Sequence, residues 1–279
     1  MSTVAVIDYG GSNLRSVVKA LESVARDRHR IIVSDESRVI REAERVVFPG
    51  QGALGDCMER LAACNLTEVV CDCAQTRPFL GICLGLQSLM PFSEEDGGTE
   101  GLGLFAGRVV RFPERPAAAP DGSPRKVPHM GWNQVEWARE HPVTASIATG
   151  TRFYFVHSYY VVPKDGALTL GSTEYIRPFT AALASGFVFA TQFHPEKSAA
   201  AGLMLLEKSF RTAKYRPAIW GGLFMALSIL THHMTGIAIG LGLAGWLLFH
   251  LFSGVYPRRD ILVHSSLFAG VTALIVAPW

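Results

Sequence analysis

The chain has 279 residues, of which 49% are hydrophobic and 18% charged, and its formal net charge is +2. This length suffices for one sizeable domain and an additional segment. The near-balanced charge gives no indication of a nucleic-acid partner, because such partners require strongly basic surfaces. Residues 217 to 257 contain no Asp, Glu, Lys or Arg. The composition therefore predicts a soluble domain over residues 1–213 and a hydrophobic, helical segment over residues 214–279.

The first part of the chain alternates between strands and helices. Apolar runs predict three strands, over residues 3–8, 30–35 and 45–48. Apolar residues at helical spacing predict three helices, over residues 13–24, 54–64 and 67–75. Such alternation predicts an α/β fold with a mainly parallel central sheet flanked by helices. Functional loops are then expected at the C-terminal ends of the strands.

All five cysteines fall between residues 57 and 83. Their number is odd, and the N-terminus lacks the basic and apolar regions of a signal peptide, so the sequence predicts a reduced, cytoplasmic catalytic region. Cys71 and Cys73 are separated by one residue and lack a second pair of ligands, which disfavours a zinc site. Neither a metal nor a cofactor is expected.

Cys83 lies within the sequence G-I-C-L-G, between a predicted strand (residues 78–82) and a predicted helix (residues 84–92). A side chain at such a corner is exposed above the sheet, and its neighbours must be small, which suits Gly81 and Gly85. The N-terminus of the following helix directs its N–H groups at the sulfur and favours the nucleophilic thiolate. Cys83 is therefore a candidate nucleophile, although a buried structural cysteine would give the same local pattern.

The chain after residue 104 is rich in predicted strands. They cover residues 104–112, 133–137, 152–162, 168–175 and 180–194, and an amphipathic helix is expected over 201–213. The last strand ends in the sequence H-P-E. Residues two apart in extended backbone lie on the same side, so Glu196 can hold His194 in the tautomer that accepts a proton from Cys83. This short motif is weak when taken alone.

Three sequence motifs together resemble a known family. G-I-C-L-G-L-Q, the later H-P-E and the sequence P-G-Q-G-A at residues 49–53 resemble class I glutamine amidotransferases. Within that class, residues 49–58, 126–133, 154–160 and 192–198 resemble the glutaminase subunits of imidazole glycerol phosphate synthase. The resemblance extends from residue 3 to about residue 212.

The resemblance implies a division of labour between two subunits. The glutaminase subunit hydrolyses L-glutamine to glutamate and ammonia. A separate (β/α)8 cyclase subunit uses the ammonia to form imidazole glycerol phosphate and an aminoimidazole carboxamide ribotide in histidine biosynthesis. The two subunits form a heterodimer, and glutaminase activity without the cyclase is expected to be weak.

The resemblance also implies roles for individual residues. Cys83, His194 and Glu196 would form the catalytic triad. Oxyanion and substrate binding is expected from Gly50, Gln51, Gly52, Leu84, Gln87, His157, Ser158 and Tyr159. The cyclase interface is expected at His129, Met130, Gly131, Trp132 and Asn133. Residues 129–133 and 157–160 are both expected to be loops.

Two other interpretations remain open. One is another class I glutaminase, such as one that serves pyridoxal phosphate or anthranilate synthesis. The other is a non-catalytic, membrane-anchored binding module on the same fold. The triad residues favour catalysis, and the sequence P-H-M-G-W-N favours the histidine pathway.

The uncharged stretch over residues 217–257 is long enough for two short transmembrane helices, with a break at residues 229–236. Basic residues flank the pair on both sides, so residues 217–279 would tether the chain to the inner face of the membrane. The segment resembles a fragment of a polytopic membrane glycosyltransferase, and a gene fusion or frame error explains the junction equally well. Its histidines could ligate haem, but packing between the helices is the favoured interpretation.

Overall fold

The computed structural model describes residues 2–11, 14–113 and 125–211. The hydrophobic segment predicted over residues 214–279, with its membrane hairpin, lies outside these ranges. The domain boundary at residue 213 therefore stays a prediction. Among the helices of the described ranges, none is long and apolar enough to span a membrane.

The described residues form thirteen strands and six α-helices. In chain order these are β1 (Ser2–Ile7), α1 (Leu14–Ala25), β2 (His29–Ser34), α2 (Ser37–Glu42), β3 (Arg45–Gly50), α3 (Leu54–Ala63), α4 (Thr67–Thr76), β4 (Phe79–Cys83), α5 (Leu84–Gln87), β5 (Phe92–Ser93), β6 (Thr99–Glu100), β7 (Gly107–Arg111), β8 (His129–Trp137), β9 (Thr151–His157), β10 (Tyr159–Pro163), β11 (Thr169–Glu174), β12 (Pro178–Ser185), β13 (Val188–Thr191) and α6 (Ala199–Arg211).

Nine of these strands form one mixed sheet, in the order β2-β1-β3-β4-β13-β12-β11-β8-β9. The first five strands of that order are parallel, as the alternating pattern predicts. The remaining four extend the sheet by antiparallel pairing, so the β-rich half of the chain belongs to the same sheet. A second sheet has the order β10-β7-β5-β6. The predicted α/β class is confirmed.

The parallel strands are covered by helices on both faces. Val4 and Val6 of β1 pack in one core together with residues of α1 and α6. Ala5 and Ile7 of the same strand point to the opposite face and pack with residues of α2, α3 and α4. Successive residues of a strand point to opposite faces, so continuous apolar runs are required where both faces are buried.

The turn at Cys83 joins the central strand β4 to the short helix α5. Cys83 has φ 55° and ψ −102°, a conformation that few non-glycine residues adopt. Register places Cys83 beside Gly50 at the end of β3. A Cβ at residue 85 would overlap the carbonyl oxygen of Phe48, so only glycine allows the helix to start this close to β3.

Three local predictions differ from the structure. The helix predicted over residues 84–92 ends at Gln87, because the next residues form tighter turns and Pro91 has no N–H to continue the helix. The loop predicted at residues 129–133 is the first half of strand β8, paired with β9. The loop predicted at 157–160 is confined to Ser158, between β9 and β10.

We predict that Gly85→Ala destabilises the protein by about 3 kcal/mol, because the new methyl group would overlap rigid backbone. Urea unfolding of the variant and the parent chain measures this difference. The matched control is Gly55→Ala in helix α3, where the nearest atom to the new methyl group is Thr99 Oγ1 at 3.8 Å. The control is expected to unfold at the same urea concentration as the parent or slightly above it. Equal stability of the two alanine variants would contradict the prediction.

Candidate active site

A cavity of about 380 Å³ opens at the C-terminal ends of the parallel strands. Nine of the residues predicted for catalysis or binding line it: Gln51, Gly52, Cys83, Leu84, Gln87, His157, Ser158, Tyr159 and His194. Three neighbouring strands of the sheet supply the central groups. β4 ends at Cys83, β3 leads into Gln51 and β13 leads towards His194.

His194 and Glu196 form a buried hydrogen-bonded pair. His194 Nδ1 lies 2.8 Å from Glu196 Oε1, and the two side chains are 2% and 1% exposed. The carboxylate accepts the Nδ1–H, which leaves Nε2 as the nitrogen that faces the cavity. Nε2 has no hydrogen-bond partner of regular geometry among the described residues.

The backbone around His194 is fixed by the antiparallel part of the sheet. The His194 N–H donates to the carbonyl of Tyr154 in β9 at 2.9 Å. The Ser198 hydroxyl donates to the His194 carbonyl at 2.6 Å and accepts from the Tyr154 N–H at 3.0 Å. These hydrogen bonds tie the backbone of His194 to strand β9 and thereby fix the position from which its imidazole extends.

The protonation of His194 depends on its neighbours. Burial alone would lower the pKa of His194. The negative charge of the Cys83 thiolate and the hydrogen bond with Glu196 outweigh burial and raise this pKa to about 10. His194 is therefore a protonated imidazolium near neutral pH.

His157 lines the cavity and is hydrogen-bonded to a second buried histidine, His129, which does not. His157 Nδ1 lies 2.8 Å from the Tyr159 carbonyl, and its Nε2 lies 3.0 Å from His129 Nδ1. His157 Nδ1 must donate to the carbonyl, so its Nε2 accepts from His129. Burial lowers the pKa of His129 to about 4. Burial and the neighbouring His129 lower the pKa of His157 to about 3. Both rings are neutral.

The predicted interface residues do not line the cavity. Strand alternation points His129 inwards, whereas Met130 and Trp132 are 62% and 47% exposed. Gly131 lies between them with φ 138°, and Asn133 donates to the carbonyl of Glu174 at 2.9 Å. This strand therefore presents an apolar surface outwards and a histidine inwards.

Four residues to which the sequence analysis assigned no role also line the cavity: Glu95, Pro128, Val156 and Lys197. Glu95 comes from a short 3₁₀ turn and accepts a hydrogen bond from the Leu54 N–H at 2.7 Å. Its acidic, glycine-rich surroundings are typical of a solvated turn, so the sequence contained no signal for it. Lys197 directly follows H-P-E within the motif over residues 192–198, but no role was assigned to it.

The model of the family "Glutamine amidotransferase class-I" matches residues 5–213. The chain therefore belongs to the class I glutamine amidotransferase family. It is 53% identical to the imidazole glycerol phosphate synthase subunit HisH of Aromatoleum aromaticum, over 74% of this chain and 96% of the relative. It is 53% identical to subunit HisH of Methylococcus capsulatus, over 76% and 97%. Within the class, the chain thus belongs to the HisH subunits.

Solved structures with low sequence identity share the fold. The glutaminase domain of Trypanosoma brucei CTPS with bound acivicin is 16% identical, with a TM-score of 0.50 over 76% of this chain and 94% of that chain. PurLQS of Thermotoga maritima is 19% identical, with a TM-score of 0.54 over 75% and 96%. The matched family residues end at 213, so the glycosyltransferase resemblance of the tail stays a prediction.

We predict that acid destabilises the protein through His129 and His157. Their pKa values in the folded protein, about 4 and about 3, lie below the ordinary value of about 6.5. The unfolded chain therefore takes up protons first as the pH falls, and stability is lost progressively from about pH 6.5 down to the folded values. Each histidine contributes a loss of about 1.4 kcal/mol per pH unit in this window. Urea unfolding at pH 7, 6 and 5 measures the slope.

His129→Phe is the informative variant, because the ring packs against Phe155 and Tyr175. Its slope below pH 6 should be shallower than that of the parent by about 1.4 kcal/mol per pH unit. His194 does not contribute in this window, since its raised pKa keeps it protonated and the unfolded histidine is protonated as well. An unchanged slope would show that His129 titrates normally.

Proposed function

We propose that this chain is the glutaminase subunit of an imidazole glycerol phosphate synthase, and that it hydrolyses L-glutamine to glutamate and ammonia. The observation that carries the proposal is the buried His194–Glu196 pair beside Cys83 in one cavity. The identity of about 53% to named synthase subunits supports the choice of synthase. Cys83, His194 and Glu196 are the proposed catalytic residues.

The first step forms a thioester. The Cys83 thiolate attacks the side-chain amide carbon of glutamine, and His194, protonated near neutral pH, donates its proton to the leaving nitrogen. Ammonia departs and the acyl group stays on the sulfur. The Leu84 N–H, which directly follows the nucleophile, is a proposed donor to the tetrahedral oxyanion. A second donor would come from the Gly50–Gly52 loop.

The second step hydrolyses the thioester. Once the sulfur is acylated, it no longer carries the negative charge that raises the pKa of His194. The imidazole that gave up its proton is then able to stay neutral and to accept a proton from water. Hydroxide attacks the thioester, glutamate leaves, and the proton is retained on His194 beside the regenerated thiolate. In both steps Glu196 accepts the Nδ1–H of His194 and so keeps Nε2 of that ring directed towards the sulfur and the substrate.

The charges of the cavity fit an amino-acid substrate. Glutamine carries an ammonium and a carboxylate group on its α-carbon. The cavity has both complementary charges, a carboxylate at Glu95 and an ammonium at Lys197. Gln87 is 4% exposed and uses its Nε2 within the protein, so only its Oε1 is available to a ligand.

The cyclase subunit is the proposed partner. Met130 and Trp132 expose apolar area on β8, and exposed apolar side chains of this size favour a protein interface. Ammonia must pass to the cyclase without contact with bulk water, because protonated ammonium is not nucleophilic. We place the described part of the chain in the cytoplasm, because all five cysteines are unpaired. The membrane tether through residues 217–279 stays a prediction from the sequence.

We predict that Glu196→Gln lowers kcat for glutamine by roughly 10²- to 10⁴-fold while the domain stays folded. The amide at this position would lose the negative charge that stabilises the imidazolium and could hold the wrong tautomer. Glutamate release measures kcat, and circular dichroism measures folding. Glu207→Gln, on helix α6, is the control and is expected to retain parental turnover. Unchanged turnover in Glu196→Gln would remove Glu196 from the mechanism.

We predict that the cyclase subunit with its ribotide ligand stimulates glutamate release strongly. Glutamate release is measured for the full chain and for residues 1–213, each with and without the cyclase. Cys83→Ala is the control and should abolish release under all conditions. Equal activity without the cyclase would keep the triad but favour another class I glutaminase. No release under any condition would favour the non-catalytic binding module.

A further inference from the structure

Gln192 lies next to the proposed nucleophile, although the H-P-E motif assigns it no role. It directly follows β13, whose last residue, Thr191, pairs with Ile82 beside Cys83. Its side chain is fully buried, and its Nε2 lies 3.6 Å from the Cys83 sulfur. Within the described part of the chain, Gln192 does not line the cavity. A direct contact with the substrate is therefore not its function.

The orientation of the Gln192 amide is determined by its neighbours. The Tyr159 carbonyl can only accept, and the amide nitrogen of Gln87 lies 2.9 Å from it. The same Gln87 nitrogen lies 3.2 Å from Gln192 Oε1 and must donate its second hydrogen there. The Gln192 nitrogen is therefore left to face Cys83. The opposite orientation would place two NH₂ groups against each other.

A further contact strengthens this assignment. The Tyr159 carbonyl also accepts the Nδ1–H of the neutral His157 ring at 2.8 Å. Both lone pairs of that oxygen are thus used, one by His157 and one by Gln87, so the Gln87 amide cannot turn round. The sequence of donors and acceptors is fixed from the Tyr159 carbonyl through Gln87 and Gln192 to the sulfur.

We propose that Gln192 is a positioning residue for the nucleophile: its amide N–H donates to the Cys83 sulfur and holds the thiolate in the direction of attack. The inference rests on the nucleophilic role of Cys83 within the proposed function. Cys83 is only 7% exposed, so few water molecules can solvate a thiolate there. A donor from the protein replaces that solvation, and hydrogen bonds to charged groups are stronger than neutral ones.

Gln192 and His194 approach the sulfur in a related way. Both residues follow β13: Gln192 Nε2 lies 3.6 Å from the sulfur, and His194 lines the same cavity as Cys83. His194 supplies the exchangeable proton, whereas the Gln192 amide cannot ionise and keeps its N–H through the whole reaction. The Gln192 amide is therefore a permanent hydrogen-bond donor to the sulfur, whereas His194 gains and loses its proton during the reaction.

The test measures how readily Cys83 ionises, without any need for glutamine turnover. The full chain is alkylated with iodoacetamide from pH 4 to pH 9, and mass spectrometry follows the peptide that contains Cys83. Gln192→Met fills similar space without a donor. We expect the pH of half-maximal alkylation rate to move up by about one unit. Gln192→Glu keeps the shape of the side chain but turns an oxygen towards the sulfur, so a larger upward shift is expected.

Steady-state kinetics separate positioning from substrate binding. In both variants kcat for glutamine should fall, while KM should change by less than about threefold, because Gln192 lies outside the cavity lining. The other titratable groups of the cavity are Glu95, His157, Tyr159, His194 and Lys197, and all stay in place in both variants. Gln192→Glu adds a carboxyl group of its own beside the sulfur, so Gln192→Met is the variant that isolates the donor. A shift in the alkylation profile then reports the lost donor.

Thr191→Val is the matched control. Thr191 is fully buried and its hydroxyl donates to the Phe193 carbonyl at 2.9 Å, so the change removes a buried hydrogen bond beside Gln192. It should lower stability but leave the alkylation profile of Cys83 unchanged. Profiles of Gln192→Met and Gln192→Glu that coincide with the parent would overturn the inference. If Gln192→Met does not fold, Gln192→Leu, which also lacks a donor and adds no charge, decides. A parent chain that releases no glutamate would refute the proposed function, whereas the alkylation profiles would still test Gln192.

Discussion

The backbone turn at Cys83 is the constraint on which the rest of the site depends. A cysteine at φ 55° stores strain of roughly 1–3 kcal/mol, which persists only where the surroundings permit no alternative. β4 lies between two parallel neighbours, β3 and β13, so the strand cannot shift. The carbonyl of Phe48 packs directly against Gly85, so the helix cannot move away from the sheet. The neighbouring strands β3 and β13 and the contact between Phe48 and Gly85 therefore hold the Cys83 sulfur above the sheet.

This arrangement explains why two neighbouring histidines have opposite protonation. His194 has a buried carboxylate at one nitrogen and the Cys83 sulfur near the other, and both favour the charged ring. His157 donates one N–H to a carbonyl and accepts a hydrogen bond at its other nitrogen, so a second proton has no acceptor. Burial then makes the charged form unfavourable. The proton that the chemistry needs is thereby confined to His194.

Sequence patterns predicted the parts of this design that follow from local rules. Apolar alternation and helical spacing identified the parallel strands and most helices, and the glycines around Cys83 indicated the turn. The loop expected at residues 129–133 is instead a strand, because its pairing with β9 satisfies the backbone groups of a segment that contains glycine. Glu95 and Gln192 reach the site through contacts between residues far apart in the chain. No local pattern carries such information.

The strand character of residues 129–133 also gives a physical basis for the expected dependence on a partner. Alternation along strand β8 exposes Met130 and Trp132. The same strand buries His129, whose ring contacts His157. His129 is hydrogen-bonded to His157, and His157 to the carbonyl of Tyr159. A protein that packs on the exposed face would therefore press on a strand whose buried side chain helps to fix the donors around the sulfur.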